Sequence, residues 1–187
     1  MRYRSVLILI AGLLLLPGQG CKQQRGSDAE RAEEMISAKT LGLAYLEENK
    51  LEEAEAEFLK IIDLDADEVM GYANLGIVYL RMGSFDKAEE WLQKAIRMEP
   101  EDPDVRLNLA KVYEMSGSSD KAIEELEKIM EFSPGHVKSL FNLTELYASM
   151  PGEEALDKRL VYTEELAEKV PGNIVPRLNL LEILIAE

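Results

Sequence analysis

The chain carries one histidine and one cysteine, and neither stands where a reaction needs it. A histidine base works beside a nucleophile or a metal. His136 follows "SPG" and reads as a loop residue between helices. No Gly-x-Ser-x-Gly, Cys-x-x-Cys, His-Glu-x-x-His or phosphate-cradling glycine loop occurs. In "DLDADE", Asp63, Asp65 and Asp67 alternate as calcium ligands do. Glu68 stands where such a loop needs glycine, however, and Asn74 where it needs its closing glutamate, so the segment reads as a turn. The remaining polar pattern is non-reactive. Asn74, Asn108, Asn142 and Asn179 recur at spacings of 34, 34 and 37 residues. A row of amides, each with donors and an acceptor, can pair with the backbone of a bound peptide. The expected chemistry is recognition, not catalysis, with no metal and no cofactor.

Charge narrows the partners. There are 36 acidic residues against 21 basic ones, a net charge of −15. Nucleic acid demands the opposite sign, and simple adhesion to anionic lipid does too. The 47% of apolar residues suffice to bury a core. Lone Trp91, beside Leu92 in a helical stretch, reads as a packing residue.

The N-terminus belongs to a different class of sequence. "MRYRSVLILIAGLLLLPGQGC" opens with Arg2 and Arg4, continues through an apolar run from Val6 to Leu16, and ends in small residues before Cys21. That run is far shorter than the roughly 20 apolar residues of a spanning helix, and it fits a secretory signal. A single cysteine allows no intramolecular disulfide. "GQGC" resembles the lipobox of bacterial lipoproteins, with Gly20 suited to the cleavage site and Gly18 in place of the usual leucine. The resemblance implies a signal peptide over 1–20 and lipid on Cys21, hence a membrane anchor in the bacterial cell envelope. Lys22, where a retention signal would have Asp, tilts that expectation toward the outer membrane. Ordinary cleaved secretion and an uncleaved anchor are the alternatives. Residues 21–34 read as the lipidated cysteine and a polar tether.

From Met35 the chain repeats itself. "NLGIVYLRMGSFDKAEEWLQKAIRMEP" at 74–100 returns as "NLAKVYEMSGSSDKAIEELEKIMEFSP" at 108–134. Apolar residues recur every three or four positions, as one buried helix face requires. Gly42, Gly76 and Ala110 are small where paired helices must approach closely, and Ala54, Ala88 and Ala122 are small on the partner helix. Gly83 and Gly117 end helices. Pro100, Pro134 and Pro171 close the second helices. No strand pattern survives.

These positions resemble the tetratricopeptide repeat (TPR), a 34-residue helix pair carrying L-G, Tyr, Ala, Phe and Pro at fixed offsets. The resemblance implies an all-α, right-handed superhelical solenoid of helix-turn-helix repeats. Its units are 35–68, 69–102, 103–136, and 137–173 with a turn insertion near "SMPGEE", followed by the first helix of an incomplete fifth repeat at 174–187. It also implies a non-enzymatic scaffold or adaptor that holds a protein or peptide partner in a concave groove lined by the first helices, with no small-molecule substrate. In the family register that groove comprises Lys39, Leu43, Met70, Asn74, Ile77, Leu107, Asn108, Lys111, Phe141 and Asn142, flanked by Ile36, Ala73 and Glu145. Of the family's carboxylate clamp, Lys39 and Asn74 match. Leu43, Asp104 and Asn108 do not, which argues against chaperone-tail binding. Acids crowd the second helices instead (Glu52, Glu53, Glu89, Glu90, Glu124, Glu125). "LNLLEILIAE" at the C-terminus is a first helix without a second, so it is either an apolar cap or the edge of a longer protein whose activity lies beyond Glu187.

Overall fold

The computed structural model describes the backbone of residues 19–186 and the side chains of residues 28–185. The expected signal peptide and the Cys21 side chain lie outside these. The described backbone forms nine α-helices and no strand: α1 (Gln19–Glu47), α2 (Leu51–Leu64), α3 (Val69–Arg81), α4 (Phe85–Met98), α5 (Pro103–Met115), α6 (Ser119–Phe132), α7 (Val137–Ala148), α8 (Glu153–Lys169) and α9 (Val175–Ala186). Each odd helix pairs with the even helix after it. Each even helix then packs on the next odd one, and α3 also touches α5. The result is a solenoid of stacked hairpins, built from contacts between near neighbours. No described helix is long and apolar enough to cross a membrane.

Local chemistry fixes the helix ends. Asn49, Gly83 and Gly117 sit 34 residues apart with φ of 58°, 73° and 80°. At each, the next residue's N–H bonds back to a tyrosine carbonyl: Lys50 to Tyr45, Ser84 to Tyr79 and Ser118 to Tyr113, at 2.8, 2.9 and 2.8 Å. These are left-handed helix caps that satisfy carbonyls the helix leaves open, and asparagine is the side chain that best replaces glycine in them. At the other end of α5, Asp102 accepts from Asp104 N–H (2.8 Å) and Val105 N–H (3.1 Å), with Pro103 in the first turn. His136, expected as a plain loop residue, caps α7 by accepting from Ser139 N–H.

A graded seam holds each hairpin closed. A Cβ on Gly42 would lie 2.7 Å from the Phe58 ring, and one on Gly76 would lie 2.4 Å from Leu92 Cγ. The third unit places Ala110 and Leu126 in this register, both buried, and in the fourth Thr144 meets Thr163 with hydroxyls 3.5 Å apart. From Gly42–Phe58 through Gly76–Leu92 and Ala110–Leu126 to Thr144–Thr163, the first-helix residue never shrinks and the opposing residue never grows, as close packing of a fixed interaxial space demands.

Tyrosines tie each unit to the one before. Tyr79 donates to Glu55, Tyr113 to Glu89 (2.8 Å), and Tyr147 and Tyr162 share Glu127 (3.4 and 2.9 Å). Burial first, and the neighbouring carboxylate second, push the Tyr79 and Tyr113 hydroxyls up to about 12 and raise Tyr147 and Tyr162 as well. Arg106 reaches Glu125 (2.7 Å) and the Pro100 carbonyl (2.8 Å) in a largely buried pair that Lys128 joins at 2.8 Å. Among the acids that crowd the second helices, Glu89 and Glu125 are therefore internal ties rather than solvated charges. Trp91 is half-buried, its ring 5.9 Å from that of Tyr72.

Two segment expectations need correction. The tether at 21–34 is helical: α1 runs unbroken from Gln19 for 29 residues. Its Ala, Glu, Arg and Gln are strong helix formers, and extending a packed helix avoids the cost of a new nucleus. The surplus of the fourth unit lies in α8, which has 17 residues where α4 and α6 have 14. The turn at 149–152 is only one residue longer than its counterparts at 82–84 and 116–118, and one extra helical turn keeps Thr163 in the seam.

A candidate binding groove on the first helices

The first helices α5, α7 and α9 enclose a cleft of about 520 Å³. Leu107, Asn108, Lys111, Phe141 and Asn142, all expected in the groove, line it together, and Asn179 of the amide row joins them. Phe141 is the most open of these large apolar groups, 48% exposed in the middle of α7. The periodicity that buries Leu140 and Leu143 on one side of α7 leaves residues 141, 142 and 145 on the other. Phe141, Asn142 and Lys111 also border an adjoining pocket of about 410 Å³ that includes Glu145.

The groove's other half differs. Met70, Ala73 and Ile77 of α3 are half-buried and packed against the core. They form a floor between units, leaving less apolar surface open there than the family register implies. In the first unit Ile36 and Leu43 are exposed. Lys39 is engaged by Glu68, which also caps α3 through Met70 N–H. Asn74 donates to the Met70 carbonyl and Asn108 to the Asp104 carbonyl, each at 2.9 Å. The two residues that match the carboxylate clamp are thus bound within the chain. Asn74 and Asn108 each spend an N–H on their own helix, so they offer a partner chiefly a carbonyl oxygen and one further N–H.

Several lining residues escaped the sequence reading: Val137 and Lys138 at the start of α7, Leu166 from α8, Val170 just past its end, and Val175 from α9. A signal existed for one pair. Asp104 and Lys138 occupy equivalent places 34 residues apart with opposite charge, and they bond across the rim at 2.9 Å. Lys111 pairs with Glu114 at 3.0 Å. With the cations matched locally, the cleft offers apolar surface and amides rather than net charge. Among the described residues no cluster of His, Cys, Asp or Glu could hold a metal ion.

Residues 40–68 and 79–141 match family models of the tetratricopeptide repeat. These segments are tetratricopeptide repeats. The TPR architecture also matches solved structures. A MamA protein is 19% identical, with 81% of each chain covered and a TM-score of 0.68. A TPR protein from Parabacteroides merdae is 16% identical, covering 79% of this chain and 57% of that one with a TM-score of 0.70. The second TPR domain of human RPAP3, in complex with an HSP70 peptide, is 21% identical, covering 62% of this chain and 97% of that one at 0.57. No curated protein matches the sequence. At these identities the structural likeness establishes the fold alone, a TPR solenoid.

Proposed function

We propose that the protein is a lipid-anchored, non-enzymatic adaptor of the bacterial cell envelope that holds a segment of a partner protein in its concave TPR groove, with assembly of an envelope complex as its role. The observation that carries this reading is the cleft of α5, α7 and α9, where Val137, Phe141 and Val175 open beside half-buried Leu107 and four amides. Apolar surface gathered in a concavity beside a few polar groups is how binding sites are built. It suits an extended or helical apolar segment held by shape, backbone hydrogen bonds and little charge, so binding should depend only weakly on salt. The RPAP3 domain with its HSP70 peptide shows the same fold holding a peptide. Support for the anchor comes from the N-terminal sequence: two arginines, an apolar run and "GQGC".

The test is a pull-down from envelope extract with wild type and Phe141→Glu, both first shown to be folded by circular dichroism. Phe141 is the right probe because it is open, whereas a charge at Ile77 would strike packed structure. Loss of a partner from the variant supports the groove. Retention of every wild-type partner overturns it.

A further inference from the structure

The C-terminal helix has a second apolar surface, distinct from the cleft. Along α9, Pro176 and Ile183 are buried, with Asn179 and Leu180 half-buried, so one face packs inward and α9 contacts α8. The opposite face carries Leu178, Leu181 and Ile185, with Ile174 at the helix start, exposed by 48%, 55%, 83% and 66%. Their spacing is four, three and four residues, the alternation of a coiled-coil seam rather than of a solvated surface. Ile183 and Pro176 fall on the far side from that seam, where the helix meets its own chain. The buried and open residues therefore agree on which way the seam points.

The flanks choose the occupant. With Leu178 and Ile185 as a positions and Leu181 as d, Arg177 falls at g and Glu182 at e, five residues apart. In a parallel two-stranded coil, a g residue pairs with the e residue five further along the partner helix. Two copies of α9 laid parallel would thus form Arg177–Glu182 twice by symmetry. An antiparallel pair would oppose Arg177 to Arg177 and Glu182 to Glu182.

We infer that the outer face of α9 is a self-association surface, where a second copy of this chain docks as a short parallel helix pair. The five large exposed side chains, Leu184 included, present on the order of 500 Å² of apolar surface per copy, below the ~800 Å² per partner of a standard interface. The pair is therefore reversible and concentration-dependent, and a membrane anchor that concentrates the copies favours it. Because Val175 and Asn179 belong to the cleft wall, pairing sets two clefts on either side of a shared axis. A parallel homodimer is an isologous contact, closed at two copies.

The experiment uses the full chain in mild non-ionic detergent. Light scattering follows mass across the micromolar range for wild type, Arg177→Glu, Glu182→Arg and the double exchange. The expected result is a rise from one protomer toward two for wild type. Either single reversal, which places like charges opposite each other, abolishes the rise, and the double exchange restores it. In a Cys21→Ser background, Leu181→Cys should form a disulfide-linked dimer under mild oxidation. A protein that stays monomeric at every concentration overturns the inference, since the face is then covered by another segment or another protein. A dimer indifferent to all three charge variants, or one that Leu181→Cys does not cross-link, overturns the parallel seam.

Discussion

Replacing Gly76 by alanine should destabilise the protein, and replacing Ala110 by glycine should destabilise it too, although the two positions are one repeat apart in the same register. At Gly76 the new Cβ would lie 2.4 Å from Leu92 Cγ and 2.7 Å from Cδ2. Leu92 is fully buried, and its Cγ is a branch point rather than a flexible tip, so relief requires α4 to move. Overpacking of this kind costs about 1–3 kcal/mol, while alanine regains about 1 kcal/mol of helix propensity over glycine. The net is a loss of up to about 2 kcal/mol. At Ala110 the seam already accommodates a methyl group. Its removal forfeits about 0.8 kcal/mol of burial and about 1 kcal/mol of propensity. For a chain of this size each kcal/mol lowers the midpoint by about 2–4 °C, so both variants should melt several degrees early by far-ultraviolet circular dichroism. A Gly76→Ala midpoint at or above that of wild type, as propensity alone predicts, would refute the graded seam.

Further expectations concern the anchor and alkaline pH. If Cys21 carries lipid, Cys21→Ser should move from the detergent phase to the aqueous phase and stop incorporating labelled palmitate; unchanged partitioning with no label in wild type refutes the anchor. Tyr79 and Tyr113 are raised to about 12 in the fold, so their contribution to stability is complete below pH ~10, the value of a free tyrosine, and disappears as pH rises through 12. Denaturant titrations at pH 9, 10 and 11 should show stability falling over this range, with a shallower fall in a Tyr79→Phe, Tyr113→Phe double variant. Equal slopes for the two proteins would mean that these hydroxyls titrate alike in the folded and unfolded chain.

The helix pairs were legible because their signals are local. Apolar spacing, cap glycines and closing prolines act within one turn, and a 34-residue period repeats them until chance is excluded. Asn49 was readable only in hindsight: one asparagine in a left-handed cap means little until Gly83 and Gly117 supply its register. The tether was misread because a polar, aromatic-free stretch such as "DAERAEE" gives no burial signal, although α1 needs none when it extends a helix already packed. Half of the groove was legible for the same reason as the fold. Phe141 and Asn142 follow from the face opposite Leu140 and Leu143, whereas Met70 and Ile77 obey the same period yet fill the space between units. Only the three-dimensional stacking distinguishes those cases. The roles of Glu89 and Glu125 were hidden because tyrosine and arginine reach them from neighbouring helices, at separations that one helix's periodicity does not encode.

The most direct test of the groove is site-specific photocross-linking in intact cells. A benzophenone side chain replaces Phe141 in one full-length variant and Glu124, exposed on α6, in another. The predicted result is a discrete adduct with a second, different protein at position 141, absent at 124 and lost when Val137→Glu, an open position on the same cleft, is added. Adducts of the same size at both positions, or at position 124 alone, would contradict the account and move the binding surface to the outer helices.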